Sequence, residues 1–168
     1  MEYWDVYDAK RRPLGRTHLR GLPMPPGEYH LIVFVWVVNS AGRLLLTKRS
    51  PEKQSYPNLW ENTGGAAIAG ETSRQAIRRE LMEETGIAAE EGEFEFLITK
   101  LGRSWIADTY LLRRDVPLED IRLQPGETCD AQWVTRAQFD ALIARNAVAK
   151  PDVERFELVE HRLRELFW

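Results

Sequence analysis

The amino-acid sequence predicts an α/β protein, an α/β/α sandwich in which helices cover a mixed, partly antiparallel β-sheet. Short stretches rich in β-branched and aromatic residues alternate with a few separated segments of helical character. The 168 residues suit one compact domain, and 43% hydrophobic with 29% charged residues is ordinary for a globular protein. Residues 31–38 are apolar throughout, which is typical of a strand buried on both faces.

The N-terminal part of the chain, residues 1–27, is predicted to form a short β arm. Residues 3–7 form an alternating run rich in aromatic side chains, and a turn near residues 8–13 would close a hairpin. Prolines and a glycine at residues 23–27 then separate this arm from the main body of the chain.

Two apolar runs follow the arm, at residues 29–38 and 43–47. An Asn/Gly-containing turn lies between them, so they are predicted to pair as a second hairpin. Residues 50–58 contain prolines and no periodicity, which predicts a loop. Further strands are predicted at residues 93–100, 105–112 and 131–134.

Three segments have helical character. Residues 72–85 are the clearest, because apolar residues recur at helical spacing and the segment stops at Gly86. Thr135 suits the N-cap of a second helix that ends at Ala144. The C-terminal segment, residues 150–168, is predicted to be helical from residue 153. Its apolar side consists of Phe156, Val159, Leu163 and Leu166.

The strongest chemical signal lies in residues 65–87. Gly65 is followed after five residues by Glu71, and after seven more by the run Arg-Glu-Leu-Met-Glu-Glu-Thr-Gly-Ile at residues 79–87. A pattern of glycine, acidic and basic residues at so many set positions is far more specific than a lone glycine motif. We therefore expect this segment to carry the chemistry of the protein.

The three glutamates of this run share one side of the predicted helix. At 100° per residue, Glu83 and Glu84 lie within about 60° of the direction of Glu80. Such a stripe is stable when a cation lies among the carboxylates, and hard oxygen ligands favour Mg²⁺, with Mn²⁺ as the alternative. Gly64 and Gly65 allow a close turn, so the backbone carbonyl of Gly65 is expected to approach the same cation.

The complete pattern resembles the Nudix box, the signature of the Nudix hydrolase superfamily. The resemblance implies a Nudix-type α/β/α sandwich, one Nudix domain over residues 1–168, and Mg²⁺-dependent hydrolysis of a phosphoanhydride. It implies a small-molecule nucleotide or other diphosphate as substrate, the type being a nucleoside diphosphate linked to another group. The metal ligands implied are Gly65, Glu80, Glu83 and Glu84.

The general base varies within this family, and two candidates stand out here. Glu83 belongs to the box, and Glu127 lies in an acidic loop ahead of Trp133-Val134. Arg79 is expected to orient one of the box acids through a charge-assisted hydrogen bond. A plain loop role for Glu127 and a purely structural ion pair for Arg79 are the alternatives.

Basic residues near the predicted loop are candidates for substrate contacts. Arg49 and Lys53, with Lys48, could hold the phosphate that does not react, and a solvated strand edge is the alternative. Trp105 could stack a base, with core or interface packing as its alternative.

A second resemblance, to isopentenyl diphosphate isomerase, covers roughly residues 28–145. The resemblance implies the same fold, but that enzyme transfers a proton with an essential cysteine just before the box, where this chain has Gly65. The isomerase's histidine is replaced by Ala67, and Cys129 is the single thiol. The chain is therefore identified as a member of the isomerase-like branch of Nudix hydrolases. A non-catalytic nucleotide-binding module is the third hypothesis, although the box acids are all present.

Composition restricts the partners. A net charge of −3 argues against nucleic acid as a ligand, and the longest apolar run is far too short to span a membrane. The single cysteine precludes an intrachain disulfide, and the charged first ten residues do not resemble a signal peptide. We expect a cytoplasmic location, and the aromatic N-terminal arm could serve the interface of a homodimer.

Overall fold

The computed structural model describes residues 1–168 and contains nine strands and three α-helices. The strands are β1 (Tyr3–Tyr7), β2 (Pro13–Leu19), β3 (His30–Val38), β4 (Leu44–Arg49), β5 (Trp60–Glu61), β6 (Thr63–Ala66), β7 (Glu95–Leu101), β8 (Trp105–Arg113) and β9 (Thr128–Val134). The helices are α1 (Ser73–Thr85), α2 (Arg136–Ala144) and α3 (Lys150–Phe167). None of these helices has the length and apolarity needed to cross a membrane.

Seven strands form one mixed sheet around β3. Strand β3 runs parallel to β8 along its full length and antiparallel to β6 on its other edge, and β7 pairs antiparallel with β8. Strand β4 pairs antiparallel with β9 and β5. The hairpin predicted from residues 29–38 and 43–47 is confirmed only at its turn, where Val38 faces Leu44. Beyond that pair both edges of β3 are already occupied, so β4 turns away.

Helices cover both faces of the sheet, which confirms the predicted α/β/α sandwich. On one face, Ile77 and Leu81 of α1 pack into a core that includes Val33 of β3. On the other face, Trp36 of β3 packs against Phe139 and Phe156 of α2 and α3. Successive residues of β3 therefore enter opposite cores, and both Val33 and Trp36 are fully buried.

The predicted helices are confirmed, with small shifts at their ends. Thr72 and Thr135 each cap a helix, and in both cases a glutamine at the third helical position completes a capping box. Helix α3 begins at Lys150, three residues before the predicted start, because Pro151 is well tolerated in a first helical turn.

The predictions missed or shortened three strands. Strand β9 begins at Thr128, earlier than the predicted residue 131. Strands β5 and β6 were not predicted, since two residues at Trp60–Glu61 and four glycine-rich ones at Thr63–Ala66 show no alternation.

The predicted N-terminal hairpin forms and is fastened to the main body at its turn. Tyr7 and Tyr29 exchange backbone hydrogen bonds of 2.8 and 2.9 Å. Arg11 forms a bidentate pair with Asp108 of β8, whose carboxylate is buried and also accepts a hydrogen bond from Ser73. Because a buried carboxylate needs its partners, this pair holds the hairpin in place.

The Phe156→Ala variant is expected to lose about 3–5 kcal/mol of unfolding free energy, because it empties the centre of the Trp36–Phe139–Phe156 cluster. Chemical denaturation measures the loss. Glu157→Ala on the exposed side of the same helix is the control, with a change within about 0.5 kcal/mol. Equal losses in the two variants would contradict the position assigned to α3.

Candidate active site

A cavity of about 650 Å³ opens beside the residues of the Gly65–Ile87 motif. Its walls come from α1, β6, the loop after β4, the loop before β9 and the N-terminal hairpin. Charged side chains dominate the lining. They are six glutamates, Glu2, Glu52, Glu80, Glu83, Glu84 and Glu127, and four basic residues, Arg20, Arg49, Lys53 and Arg79. All eight site residues predicted from the sequence therefore line one cavity.

The three box glutamates meet the cavity at different depths. Glu83 is largely exposed, the side chain of Glu80 is 14% exposed, and Glu84 lies at the bottom with 8% of its surface accessible. This gradient follows from the helix. Ile77 and Leu81 turn one side of α1 into the core, and the stripe of glutamates runs along the border of that side.

Strand β6 lies close against α1 at Gly65. A Cβ added to Gly65 would overlap the carboxylate of Glu80, and one added to Gly64 would overlap the carbonyl of Val33. At Gly64 the obstacle is backbone, so that position requires glycine, whereas at Gly65 it is the end of the Glu80 side chain, which would have to move to admit a Cβ. The same crowding leaves no room at Gly65 for the cysteine side chain of an isomerase unless Glu80 moves.

Arg79 connects the acids of the site. Its guanidinium donates hydrogen bonds to Glu71 at 2.7 and 3.0 Å, to Glu80 at 2.8 Å and to Glu83 at 3.1 Å, and to the carbonyl of Ala66 at 3.0 Å. The hydrogen bond with Glu71 is the main reason that the pKa of Arg79 is raised. The expected contact between Arg79 and a box acid is therefore present, and it involves several acids at once.

The acids face one cavity, but their carboxylates do not converge on one point. No three acidic, histidine or cysteine side chains have a geometry that would already hold a metal ion. Arg79 lies between Glu71, Glu80 and Glu83 and offsets part of their negative charge in this arrangement. Glu80 and Glu83 each use one oxygen to accept from Arg79, which leaves the other oxygen of each carboxylate for a cation.

The deepest carboxylate fits a divalent cation. One oxygen of Glu84 is buried and has no hydrogen-bond partner. Burial raises the pKa of Glu84 well above its ordinary value, and the nearby acids Glu61 and Glu80 raise it further. Burial also raises the pKa of Glu80, against the opposing effect of Arg79. Oxygen donors that lack protein partners suit Mg²⁺ or Mn²⁺, so Glu80, Glu83, Glu84 and the carbonyl of Gly65 could hold such an ion.

Two loops meet across the cavity through Lys53 and Glu127. These side chains form an ion pair, and the backbone N–H of Ser50 donates to the carbonyl of Glu127 at 2.8 Å. Lys53, a candidate phosphate contact, is thus paired with Glu127, one of the two candidate bases.

Arg49, the other predicted phosphate contact, is largely engaged within the protein. It donates to Glu61 at 2.6 Å and to the carbonyl and hydroxyl of Ser55 at 2.9 and 3.2 Å. Only 16% of its side chain is exposed. Arg49 therefore holds the loop after β4 against β5.

Sequence reasoning missed Glu61, which lies behind Glu84. Burial is the largest cause that raises its pKa to about 7, and Asp152 raises it further against the effect of Arg49. Glu61 stands in a two-residue strand with no motif of its own, so only its position in space reveals it.

Sequence reasoning also missed the contribution of the N-terminal hairpin. Glu2 and Arg20, at the two ends of the hairpin, form an ion pair and line the cavity. Two other residues considered from the sequence lie outside the cavity lining. Trp105 borders a separate hollow with Pro151 and Arg155, and Cys129 is exposed on β9.

The chain is similar in sequence to known Nudix proteins. A family model described as the NUDIX domain matches residues 28–155. An uncharacterized Nudix hydrolase of Listeria monocytogenes is 38% identical over 84% of this chain and 85% of its own length. An isopentenyl-diphosphate Delta-isomerase of Paenarthrobacter aurescens is 29% identical over 82% of this chain and 78% of its own.

Solved structures share the fold. A crystal structure of a Deinococcus radiodurans protein has a TM-score of 0.75 and 27% identity, covering 95% of this chain and 98% of its own. The NUDIX domain of Shewanella oneidensis NrtR, solved with ADP ribose, has a TM-score of 0.63 and 19% identity, covering 80% and 88%. A bifunctional NMN adenylyltransferase/ADP ribose pyrophosphatase of Francisella tularensis, solved with AMP and a manganese ion, has a TM-score of 0.66 and 19% identity, covering 84% and 43%.

The Gly65→Ala variant is expected to bind Mn²⁺ at least about tenfold more weakly, because the added methyl group displaces the Glu80 carboxylate. Calorimetric titration with Mn²⁺ measures the affinity. Gly92→Ala, where an added Cβ meets nothing within 4 Å, is the matched control and should bind like the parent protein. An unchanged affinity in Gly65→Ala would remove Glu80 from the metal site.

Glu61 should make stability depend on pH. Since the pKa of Glu61 is about 7 in the folded protein and its ordinary value is 4.5, its stabilising effect is complete below pH 4.5 and is lost as the pH rises through 7. Replacing it with glutamine should remove a fall of roughly 2–3 kcal/mol over that interval. Urea denaturation of parent and Glu61→Gln proteins between pH 4.5 and 8, without divalent metal, measures the difference. Parallel pH curves for the two proteins would show that Glu61 has no shifted pKa.

Proposed function

The chain belongs to the Nudix family and is a hydrolase, and on this basis we propose that it is a pyrophosphohydrolase that uses Mg²⁺ or Mn²⁺. Its proposed substrate is a nucleoside diphosphate linked to another group. One observation carries this proposal: Glu80, Glu83, Glu84 and Glu127 line the same cavity as four basic side chains. Hydrolysis of a diphosphate needs carboxylates for the metal and cations for the phosphates, side by side.

We assign the metal to the carbonyl of Gly65 and to Glu80, Glu83 and Glu84. When bound, the divalent ion supplies positive charge that offsets the charge of the phosphoryl oxygens. Glu84 contributes a buried oxygen that has no hydrogen-bond partner in the protein. Because Gly65 has no side chain, the carboxylate of Glu80 can lie beside the backbone of Gly65. Arg79 orients the acids and offsets part of their charge through its four contacts with Glu71, Glu80 and Glu83.

Water attacks one phosphorus atom in line with the bridging oxygen, which leaves with the other phosphate. A carboxylate must accept the proton of that water. Glu83 and Glu127 are the candidates, because both are substantially exposed to the cavity. Glu83 accepts a hydrogen bond from Arg79 and Glu127 is paired with Lys53, so a substrate phosphate that draws Lys53 away frees Glu127.

Two further lines of support concern the substrate. Proteins of the same fold were solved with ADP ribose and with AMP and manganese, which supports nucleotide diphosphates as the class to test. Lys53 in the cavity wall supplies a positive charge for a phosphate that does not react, whereas Arg49 supports the loop that carries Lys53.

Isomerisation of isopentenyl diphosphate is the second candidate, favoured by the similarity to named isomerases. The site opposes it. Gly65 stands where the resemblance places the isomerase's cysteine, a side chain there would strike Glu80, and the single thiol, Cys129, lies outside the cavity. A non-catalytic module is opposed by the intact set of box acids.

The Glu83→Gln and Glu84→Gln variants are each expected to lower kcat/KM for a nucleoside diphosphate substrate by at least about 100-fold, because each removes a charged oxygen ligand. Phosphate release with Mg²⁺ measures the rate across a panel of nucleoside diphosphates, ADP ribose and sugar nucleotides. Excess chelator should abolish turnover, and added Mg²⁺ should restore it.

Controls separate the hydrolase from its alternatives. Glu157→Gln, an exposed acid on α3 far from the cavity, should keep the parent rate. Parent-like rates in the Glu83 or Glu84 variants, or turnover in excess chelator, would refute the metal assignment. Formation of dimethylallyl diphosphate from isopentenyl diphosphate would favour the isomerase. Glu127→Gln should lose kcat and keep its Mn²⁺ affinity if Glu127 is the base, whereas a parent-like kcat in this variant would leave Glu83, which is also a metal ligand, as the base.

A further inference from the structure

The cavity lining has almost no apolar surface. Of its 17 residues, Ala66 is the single hydrophobic one, none is aromatic, and ten are charged. Pockets for small molecules are usually lined mainly by hydrophobic and aromatic side chains, with a few polar groups that set orientation. This cavity has the opposite composition, so it suits a ligand that carries charges and hydrogen-bonding groups.

The tryptophans, which are the best stacking partners for a nucleobase, are all engaged elsewhere. Each of the six has a partner outside the cavity. The contacts are His30 for Trp4, Phe139 for Trp36, Lys48 for Trp60, Gly102 for Trp105, Val116 for Trp133 and Gly42 for Trp168. Tyr3 and Tyr56 are next in sequence to the lining residues Glu2 and Ser55, but neither belongs to the lining.

We propose that this site recognises its substrate through the phosphate chain and polar groups and does not discriminate between nucleobases. The inference rests on the proposed pyrophosphohydrolase function and narrows its substrate class. Stacking of a base on an aromatic ring contributes roughly 5- to 150-fold in affinity, and the cavity provides no ring for it. The base therefore lies at the rim or in solvent, and different nucleoside diphosphates are bound alike.

The cations of the cavity differ in their freedom to bind a phosphate. Arg79 is shared among three glutamates, and Arg49 is bonded to Glu61 and Ser55. Arg20 is different. Its only ion-pair partner is Glu2, and the two side chains are 55% and 52% exposed. Such an exposed pair is weakly stabilising, so a phosphate can replace Glu2 at little cost.

The position of Arg20 follows from the fold. The open end of the N-terminal hairpin is joined to the segment after β6, where the backbone N–H groups of Ala69 and Gly70 donate to the carbonyl of Tyr3 and to the carboxylate of Asp5, each at 2.8 Å. Glu2 and Arg20 are therefore held at the cavity. Together with Lys53, whose partner Glu127 is likewise 42% exposed, Arg20 supplies cationic contacts for the phosphate chain. We assign Arg20 a role in substrate binding that is the same for every base.

Calorimetric titration in Mg²⁺ with the α,β-methylene analogues of ADP, GDP, CDP and UDP tests the inference. The four dissociation constants should agree within about fivefold. Arg20→Met should weaken all four by a common factor of about fivefold or more, and Arg20→Lys should retain part of the affinity because it keeps the charge. Arg12→Met removes an exposed arginine from the turn of the same hairpin, paired with Asp8 outside the cavity, and should change none of them.

Several results would overturn the inference. One base bound more than about 30-fold more tightly than another would show direct recognition of the base. Selective weakening of the purine analogues by Tyr56→Ala would show stacking at the rim, and absence of binding by all four analogues would also refute it. Equal binding of the four analogues, with no turnover of any compound in the panel of nucleoside diphosphates, ADP ribose and sugar nucleotides, would instead refute the proposed hydrolysis and leave the inference standing.

Discussion

The backbone of Thr63–Ala66 is held so close to its neighbours that a side chain at Gly64 would strike backbone and one at Gly65 would displace the carboxylate of Glu80. Gly64 lies against the carbonyl of Val33, and Gly65 lies against the carboxylate of Glu80. This contact links the central strand of the sheet to helix α1. Burial of Ile77 and Leu81 fixes how closely α1 packs on the sheet. This distance in turn decides how far each glutamate of α1 projects into the cavity. The packing of the core therefore also fixes the geometry of the site.

A consequence of this packing is a row of buried acids that continues behind the cavity. Glu84, Glu61 and Asp152 are each largely withdrawn from water, and burial is the first cause that raises the pKa of each. The charge of Asp152 raises the pKa of Glu61, and the charge of Glu61 raises the pKa of Glu84. Arginines pair with the inner two acids, Arg49 with Glu61 and Arg155 with Asp152. The outer end, at Glu84, has no basic partner, and the charge balance of the row favours a cation there.

The cavity also depends on parts of the chain that are far apart in sequence. The N-terminal hairpin contributes Glu2 and Arg20, and the loop before β9 contributes Glu127. The hairpin end is held there by the hydrogen bond from Ala69 to the carbonyl of Tyr3, and the loop is held by the pairing of β9 with β4. The surface that faces a substrate is therefore assembled from partly exposed ion pairs above the buried carboxylate of Glu84. A phosphate can exchange with such pairs, and an apolar ring finds nothing to pack against.

The sequence by itself determined the elements whose information lies along a single segment. Helical spacing placed Glu80, Glu83 and Glu84 on one stripe, and the threonine caps and apolar sides located α1, α2 and α3. Only the tertiary structure decided which distant groups meet. It placed Glu61 behind Glu84 and turned Arg49 towards Glu61. It also gave β3 the neighbours β6 and β8, and kept Trp105 away from the cavity. Periodicity records which side of an element is buried, whereas contacts between elements depend on packing, which no local pattern encodes.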